Sequence, residues 1–285
     1  HWEFGGKAST AGNYSVSFRR PWLDRKQTSF GFTFYNMINQ YTDFDSGGNE
    51  VSTYDRRYRG FDFTFGRPVN DKLSHYITLK NRWDDYKGWI SGKNYETDEP
   101  YKSENYIQNN FGLTRSVIIS RVLDTRDSNT NPSEGVRYSL SGEFAGFGGD
   151  FNFSKYTAEG RRYWKVGKSQ VIAVRGMYGY GTGHIPEMQK YMAGGIDTLR
   201  GYRDDQCKGN RLFATTMEYR FPVAKRVMAS LFTDLGNAWE SDSFDFLKDL
   251  KVGYGLGIRI VTPFGPLRLD YGFSNQGGRT HFSFG

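Results

Sequence analysis

Hydrophobic and polar residues alternate along most of the chain. Phe30, Phe32 and Phe34 occupy every second position of one segment, and smaller or polar residues fill the positions between them. A period of two residues is typical of β-strands, because successive side chains point to opposite faces. The pattern predicts an all-β, antiparallel chain of thirteen strands, at about 14–18, 30–34, 61–65, 77–80, 107–121, 136–144, 152–163, 169–181, 213–221, 227–235, 251–261, 267–273 and 280–285.

The residues on the two faces of these strands leave two architectures open. One face is strongly aromatic, and the other combines small residues with charges in mid-strand, at Arg137, Glu143, Arg175, Glu218, Arg259, Arg268 and Asp270. A membrane barrel accommodates both faces, since one meets lipid and the other lines a wet lumen. A soluble sandwich also alternates between a hydrophobic inner face and a polar outer face. Alternation alone therefore does not separate a barrel from a sandwich.

The connections between strands favour the barrel. Short ones read PWLDRKQ, GRPVND, WKVGK, PVAKR and TPFGP, and they alternate with long ones at about 38–57, 84–106, 181–209 and 236–250. The run LDTRDSNTNPSEG (123–135) is an extended member of the short set. Outer-membrane barrels have tight periplasmic turns and longer external loops, whereas a sandwich has no reason for this asymmetry. We therefore predict a transmembrane antiparallel β-barrel.

The odd number of predicted strands bears on domain organisation. Single-chain bacterial barrels usually have an even number of strands. We expect 16 strands in the complete barrel, with residues 1–285 forming one barrel domain that lacks its first strands and any N-terminal periplasmic domains. The opening segment HWEFGGKAST is interpreted as the tail of a missing strand. Whether periplasmic domains were removed or are naturally absent stays open.

Composition excludes other classes of protein. The chain has 23 Phe, 20 Tyr and 35 Gly, with a mean hydropathy of −0.69, so it has neither the runs of about 20 apolar residues of a helical membrane protein nor the aromatic-poor composition of a disordered one. The net charge of +7 is scattered rather than concentrated, which disfavours nucleic-acid binding. A single cysteine, Cys207, excludes an intramolecular disulfide.

Five segments resemble one protein family in order and spacing. GGIDTLRGYRDDQ (194–206) is similar to the sixth-loop signature of the BamA/TamA-type outer-membrane protein assembly and secretion superfamily, also called the bacterial surface antigen family. Three later segments resemble the strands that follow this loop in the family: MEYRFPV (217–223), LFTDLGNAW (231–239) and GYGLGIRIVTPFGPLRLDYGFS (253–274). A fourth, LDTRDSNTNPSEGVRYSLSGE (123–143), resembles the mid-barrel turn of the family. The specific resemblance covers about residues 115–285.

The resemblance implies a role for the arginine of the signature loop. In such barrels the loop folds back into the lumen, and its arginine contacts acidic residues of the inner wall, which here are Glu218 and Asp234. Chemistry agrees, because two neighbouring carboxylates repel each other and the rigid fork of Arg200 can satisfy both. The alternative interpretation is an ordinary solvated loop that happens to contain an arginine.

The residues around Arg200 complete the expected loop site. Leu199, Gly201 and Tyr202 flank the arginine in the signature, and Gly195 precedes it. Gly201 permits a close approach to the wall, and Gly195 permits the loop to turn back. These residues, with Glu218 and Asp234, are the predicted functional loop and its contacts in the lumen.

The C-terminal segment RTHFSFG (279–285) resembles the family's final strand and its assembly signal. Alternation places Phe282 and Phe284 on the lipid face. In the family, the junction between first and last strands is weakly closed, so this strand would form one side of a lateral seam.

The sequence favours a transport protein over an enzyme. The histidines His1, His75, His184 and His281 have no metal-ligand spacing, and no nucleophile motif is present, so we expect no catalytic residue, no metal and no cofactor. The resemblance implies a bacterial outer-membrane protein that assists insertion or translocation of other outer-membrane proteins. Its partners would be unfolded outer-membrane protein clients, outer-membrane lipids and periplasmic or lipoprotein accessory subunits. A two-partner-type secretion pore and a passive porin remain alternatives.

Overall fold

The chain forms one large antiparallel sheet in which each strand pairs with the next. The computed structural model describes residues 2–5, 12–94, 97–240, 249–262 and 265–284. Within these ranges the large sheet has 14 strands, and two further short strands, β10 and β11, pair with each other. The strands are β1 (Trp2–Gly5), β2 (Tyr14–Arg20), β3 (Ser29–Phe44), β4 (Glu50–Pro68), β5 (Leu73–Gly92), β6 (Gly112–Asp124), β7 (Gly135–Ala145), β8 (Phe153–Val166), β9 (Gln170–Gly183), β10 (Tyr191–Ala193), β11 (Cys207–Gly209), β12 (Arg211–Ala224), β13 (Val227–Trp239), β14 (Lys251–Thr262), β15 (Gly265–Ser274) and β16 (Gly277–Phe284).

The prediction of an all-β antiparallel barrel is confirmed. The thirteen predicted strands correspond to β2–β9 and β12–β16. The sheet follows chain order from β1 to β9 and then continues through β12 to β16. A fourteenth strand, β1, lies in the opening segment and pairs with β2.

Three details of the prediction are wrong, and all concern the long-loop end of the barrel. The segment 38–57 is mostly strand, because β3 continues to Phe44 and β4 begins at Glu50, and the segment 84–106 begins as strand, because β5 continues to Gly92. β4 and β5 contain 19 and 20 residues, well above the roughly 9–11 that cross a bilayer. Their ends carry polar residues on both faces, which masks the strand period. Residues 107–110 belong not to a strand but to the helix α1 (Glu104–Asn110), which the hydroxyl of Ser103 caps.

The burial of side chains is the reverse of that in a soluble sandwich. Leu140, Leu231 and Leu256 are exposed on the outer face of the sheet, whereas Asp234 and Asp270 are buried on its inner face. Charged residues are almost never fully buried in soluble proteins unless they are paired. An apolar outer face and a polar inner face are what a membrane barrel requires.

The connection between β9 and β12 lies inside the sheet. This inner loop, residues 184–210, contains β10, β11 and a single 3-10 turn (Glu187–Gln189). Lys208 of the loop binds Asp43 on β3, and the backbone N–H of Gly201 donates to His281 on β16. Because one loop contacts strands near both ends of the sheet, the sheet must curve around it.

Among the described residues, the sheet has at each end a strand that is paired on one side only. β1 and β16 are the first and last strands in the pairing order, and among the described residues no backbone ladder joins them. In the same parts of the chain, helices that could cross a membrane are not found.

Adjacent positions on β7 test which face meets lipid. Leu140 is 59% exposed on the outer face, and Ser139 points inward opposite Glu159 of β8. Leu140→Arg should lower the free energy of unfolding by about 2–4 kcal/mol, the cost of a lipid-facing arginine near the midplane. Ser139→Arg should have a much smaller effect. Urea titration of the protein folded into lipid vesicles measures both variants, and equal losses would contradict the assignment of the faces.

Candidate functional site

Arg200, at the tip of the inner loop, is buried against the barrel wall with 1% of its surface exposed. Its guanidinium makes a bidentate contact with Asp234, with Nε 2.7 Å from Oδ2 and Nη2 2.8 Å from Oδ1. The backbone N–H of Arg200 donates to the same carboxylate over 3.0 Å. A planar fork suits this geometry, and a lysine could not make the paired contact.

Two further carboxylates share the remaining nitrogen of the guanidinium. Nη1 of Arg200 lies 3.0 Å from Oδ2 of Asp270 and 3.4 Å from Oε2 of Glu218. We call Arg200, Glu218, Asp234 and Asp270 the Arg200 cluster. Its acidic members come from β12, β13 and β15, so a single side chain of the loop links three strands.

The guanidinium also stacks on an aromatic ring. The Cζ atom of Arg200 lies 3.3 Å from the ring centroid of Phe232 on β13, well within the range of a cation–π contact. Burial alone would lower the pKa of Arg200, but the hydrogen bonds and charge of Asp234, with the charges of Glu218 and Asp270, raise it above its ordinary value. The buried side chain therefore stays charged.

Glycines in the wall allow the loop tip to approach. A Cβ atom on Gly253 of β14 would lie 2.0 Å from the carbonyl oxygen of Arg200, and one on Gly272 of β15 would lie 2.5 Å from the nitrogen of Gly201. Such distances are far below van der Waals contact. The inward positions of β14 and β15 must therefore lack side chains where the loop tip packs.

The residues after Arg200 fix the tip to the last strands. Gly201 has φ +93°, and a side chain there would meet the carbonyl of Phe273. Its N–H donates to Nε2 of His281 on β16 over 3.1 Å, and its carbonyl accepts from the hydroxyl of Ser274 over 2.9 Å. Tyr202, which is also buried, donates its hydroxyl to the loop carboxamide of Asn275.

The residues before Arg200 shape the turn. Gly195 has φ +83°, and its carbonyl accepts a hydrogen bond from the N–H of Leu199 over 3.1 Å. The Leu199 side chain is fully buried in a cluster that includes Leu212 and Ala214 of β12. Loop closure and apolar packing thus present the arginine to the wall.

The other end of the inner loop has its own ionic anchor. Nζ of Lys208 lies 2.6 Å from Asp43 on β3 and 2.5 Å from Glu187 within the loop. Lys102, from the connection after β5, binds the same Asp43 over 2.7 Å. Burial alone would raise the pKa of Glu187, but Lys208 and Lys190 hold it below its ordinary value. The inner loop is therefore fixed by buried ion pairs at its tip, through Arg200, and near its end, through Lys208.

The structure places the predicted loop residues together and adds residues that the sequence analysis missed. Glu218 and Asp234 were expected to lie side by side on neighbouring strands. They are instead diagonal, because Glu218 pairs with Phe232 and Asp234 pairs with Thr216. Asp270 and His281 were missed as contacts of the loop, although the inward position of Asp270 was visible in the alternation.

Phe282 and Phe284 lie on the outer face of β16, with 67% and 57% of their surfaces exposed. Because β16 is the last strand of the sheet, these two aromatic side chains lie at the edge of the described sheet. Their expected role in assembly remains a prediction.

Substitutions at Arg200 test whether the ion pair holds the loop. Among the described residues, Asp234 accepts hydrogen bonds only from Arg200, whereas Glu218 and Asp270 also bind other arginines. Arg200→Ala should therefore lower the free energy of unfolding by about 3–5 kcal/mol, because it leaves a buried carboxylate unpaired. Arg200→Lys should be intermediate, since it keeps the charge without the fork.

The double variant Arg200→Ala/Asp234→Ala is the matched control, because it removes one charge of each sign. Its loss of stability should be smaller than that of Arg200→Ala alone. Urea titration in lipid vesicles measures these three variants together with Asp234→Ala. A double variant as unstable as the sum of its single changes would count against the ion-pair account.

Comparison with known proteins shows the family of the chain. The profile of the Omp85 superfamily domain matches residues 3–285. The chain is 32% identical over 176 residues to the outer membrane protein assembly factor BamA of Nitratidesulfovibrio vulgaris, covering 55% of this chain and 22% of that protein. It is 31% identical over 144 residues to the chloroplastic outer envelope protein 80 of Arabidopsis thaliana, covering 47% of this chain and 19% of that protein. The chain thus spans about a fifth of the length of these relatives.

A solved structure shares the fold. The crystal structure of BamA from Haemophilus ducreyi lacking POTRA domains 1–3 superposes with a TM-score of 0.73 at 18% sequence identity, covering 95% of this chain and 60% of that chain. The profile match covers nearly the whole sequence, and the solved barrel covers the same region. The chain therefore belongs to the Omp85 superfamily and is a β-barrel of the bacterial outer membrane.

Proposed function

We propose that residues 1–285 act as the barrel domain of a protein that assists the insertion and assembly of other outer-membrane proteins at a lateral seam bordered by β16. One observation carries the proposal. The tip of the inner loop is hydrogen-bonded to β16, the strand that ends the sheet, through Gly201 and His281. The buried Arg200 cluster thus supports the strand that borders the seam.

The seam supplies the driving force for this activity. The outer edge of a terminal strand presents backbone N–H and C=O groups that have no partner in the sheet. In lipid, each unsatisfied backbone group costs several kcal/mol. An unfolded client strand that pairs with this edge satisfies both chains, in the manner of β-strand addition.

The Arg200 cluster keeps the edge in place during pairing. Arg200 links β12, β13 and β15, and Ser274 and His281 extend the contact to the end of β15 and to β16. These contacts on the inner face can hold β16 in position while its free edge pairs with a client strand and later releases it. Backbone pairing alone is sufficient for this mechanism, so the proposal assigns no catalytic residue and no cofactor to the chain.

The partners follow from this mechanism. Unfolded outer-membrane proteins are the proposed clients, and the apolar outer face contacts outer-membrane lipids. We propose that periplasmic or lipoprotein subunits assist the barrel by delivering clients. A passive porin role is disfavoured, because buried ion pairs of Arg200 and Lys208 hold the inner loop inside the lumen, where it would obstruct a permanently open channel.

Reconstitution tests the proposed activity. The protein is placed in lipid vesicles, and the folding rate of an unfolded eight-stranded barrel client is measured by its heat-dependent gel mobility. We expect faster client folding than in empty vesicles, and slower folding with the Arg200→Ala variant at equal barrel content. Unchanged client folding, with release of a soluble passenger across the membrane instead, would favour the two-partner-type secretion pore. A large and steady ion conductance without either effect would favour a porin.

Cross-linking tests the use of the seam. Within the part of the chain that the structure describes, Thr280 on β16 pairs only with Tyr271 of β15, whereas Thr233 on β13 is paired on both sides. Both threonines are exposed on the outer face. In a Cys207→Ser background, Thr280→Cys should form disulfides with single-cysteine clients during their folding. Thr233→Cys is the matched control and should form few. Equal cross-linking at the two sites would contradict insertion at the seam.

A further inference from the structure

A cavity of about 180 Å³ lies beside the tip of the inner loop, and seven of its 17 lining residues are arginines. Five of these arginines project inward from β8, β9, β12, β14 and β15. We call them the arginine pocket: Arg161, Arg175, Arg220, Arg259 and Arg268. Pro222 lies two residues after Arg220, close to the short turn between β12 and β13. The pocket therefore lies near the end of the barrel with the short connections.

The carboxylates near the pocket are fewer than the arginines. Oε1 of Glu218 accepts from both Arg220 and Arg259, each over 2.8 Å. Oε1 of Glu159 likewise accepts from Arg161 over 2.5 Å and from Arg175 over 2.7 Å.

The fifth arginine shares its carboxylate with the loop tip. Arg268 donates a hydrogen bond to Oδ2 of Asp270, and this oxygen also accepts from Arg200. Five arginines therefore share three carboxylates, two of which already bind Arg200. Asp197, at the exposed end of the loop, is the remaining acidic residue that lines the cavity.

Two guanidinium nitrogens in the pocket are buried without a hydrogen-bond partner among the described residues. They are Nη1 of Arg220 and Nε of Arg259. Arg220 as a whole is only 7% exposed. A buried donor that makes no hydrogen bond destabilises the folded protein, and more so when it is charged. Excess positive charge and free donors at one place indicate a site for a negatively charged acceptor.

The turn between β6 and β7 closes the pocket from the short-connection end. Asn129 and Thr130 of this turn line the cavity, and Arg126 is held beside them by a bidentate contact with Asp124. The sequence marks this turn as the one extended member of the short set. Covering the arginine pocket explains why it is longer than its equivalents.

We propose that the arginine pocket binds a small soluble oxyanion of the phosphate type. Guanidinium forks match the oxygens of a phosphate, and several arginines around one anion balance its charge of about −2. The volume corresponds to roughly six water molecules, which is enough for one such anion and too little for a folded partner. The arginines line the lumen rather than the lipid face, so the ligand is a free anion rather than a lipid headgroup.

Binding should stabilise the folded barrel. An anion that binds the folded state alone raises stability with its concentration. It would also neutralise the excess charge beside Glu218, which belongs to the Arg200 cluster. This site is independent of the proposed assembly function, since it rests only on the charges and donors of the pocket.

Titration with inorganic phosphate and pyrophosphate tests the proposal. The purified protein in a zwitterionic detergent at low salt is titrated by calorimetry, and its melting temperature is followed in parallel. We expect one binding site, a melting temperature that rises with anion concentration, and affinity that falls about tenfold or more in Arg259→Gln, because a charge-assisted contact is lost.

Two other variants keep the test decisive. Arg161→Gln removes a pocket arginine outside the Glu218 pairs and should weaken binding even where Arg259→Gln folds poorly. Arg25→Gln, in the exposed turn between β2 and β3, changes the net charge equally and should bind as the wild type does. Absence of binding to the wild-type protein, or equal weakening in all three variants, would overturn the proposal. A response to a soluble acidic peptide but not to either phosphate would overturn it in favour of a peptide site.

Discussion

A charge buried inside a membrane barrel must be met by opposite charge, and the inner loop depends on this constraint. Arg200 is almost fully buried, and its guanidinium reaches carboxylates on three strands. Removing its partners from water is costly, so the cluster stabilises the barrel less than its short distances suggest. We expect its larger effect to be on the placement of the loop, because moving Arg200 away would leave the buried carboxylate of Asp234 unpaired.

This constraint explains why unrelated features of the wall occur together. Gly253 and Gly272 leave room for the backbone of the loop tip, and Phe232 offers its ring to the guanidinium. The same strands present leucine and aromatic side chains to lipid at the alternate positions. The outward residues of β13, β14 and β15 therefore form a lipid surface, and their inward residues form the binding surface for the loop tip.

The sequence was sufficient to predict the barrel but only part of the site. Strand alternation is a local property, so the sequence alone assigns Glu218 and Asp234 to the lumen. Asp270 and His281 could not be assigned to the loop tip, because their contacts span 70 and 80 residues and depend on how far the sheet curves. The outer parts of β3, β4 and β5 were missed because these strands are longer than a bilayer crossing requires. Beyond the bilayer both faces of a strand meet water, so hydrophobic and polar residues need not alternate.

An experimental map of the protein in a lipid nanodisc is the most direct measurement of the central claim. We predict density for the Arg200 side chain that is continuous with the carboxylate of Asp234 and within hydrogen-bond reach of Asp270, with the loop tip inside the lumen. A loop tip that lies outside the barrel, with the guanidinium in solvent and the two carboxylates bound to other residues, would contradict the account.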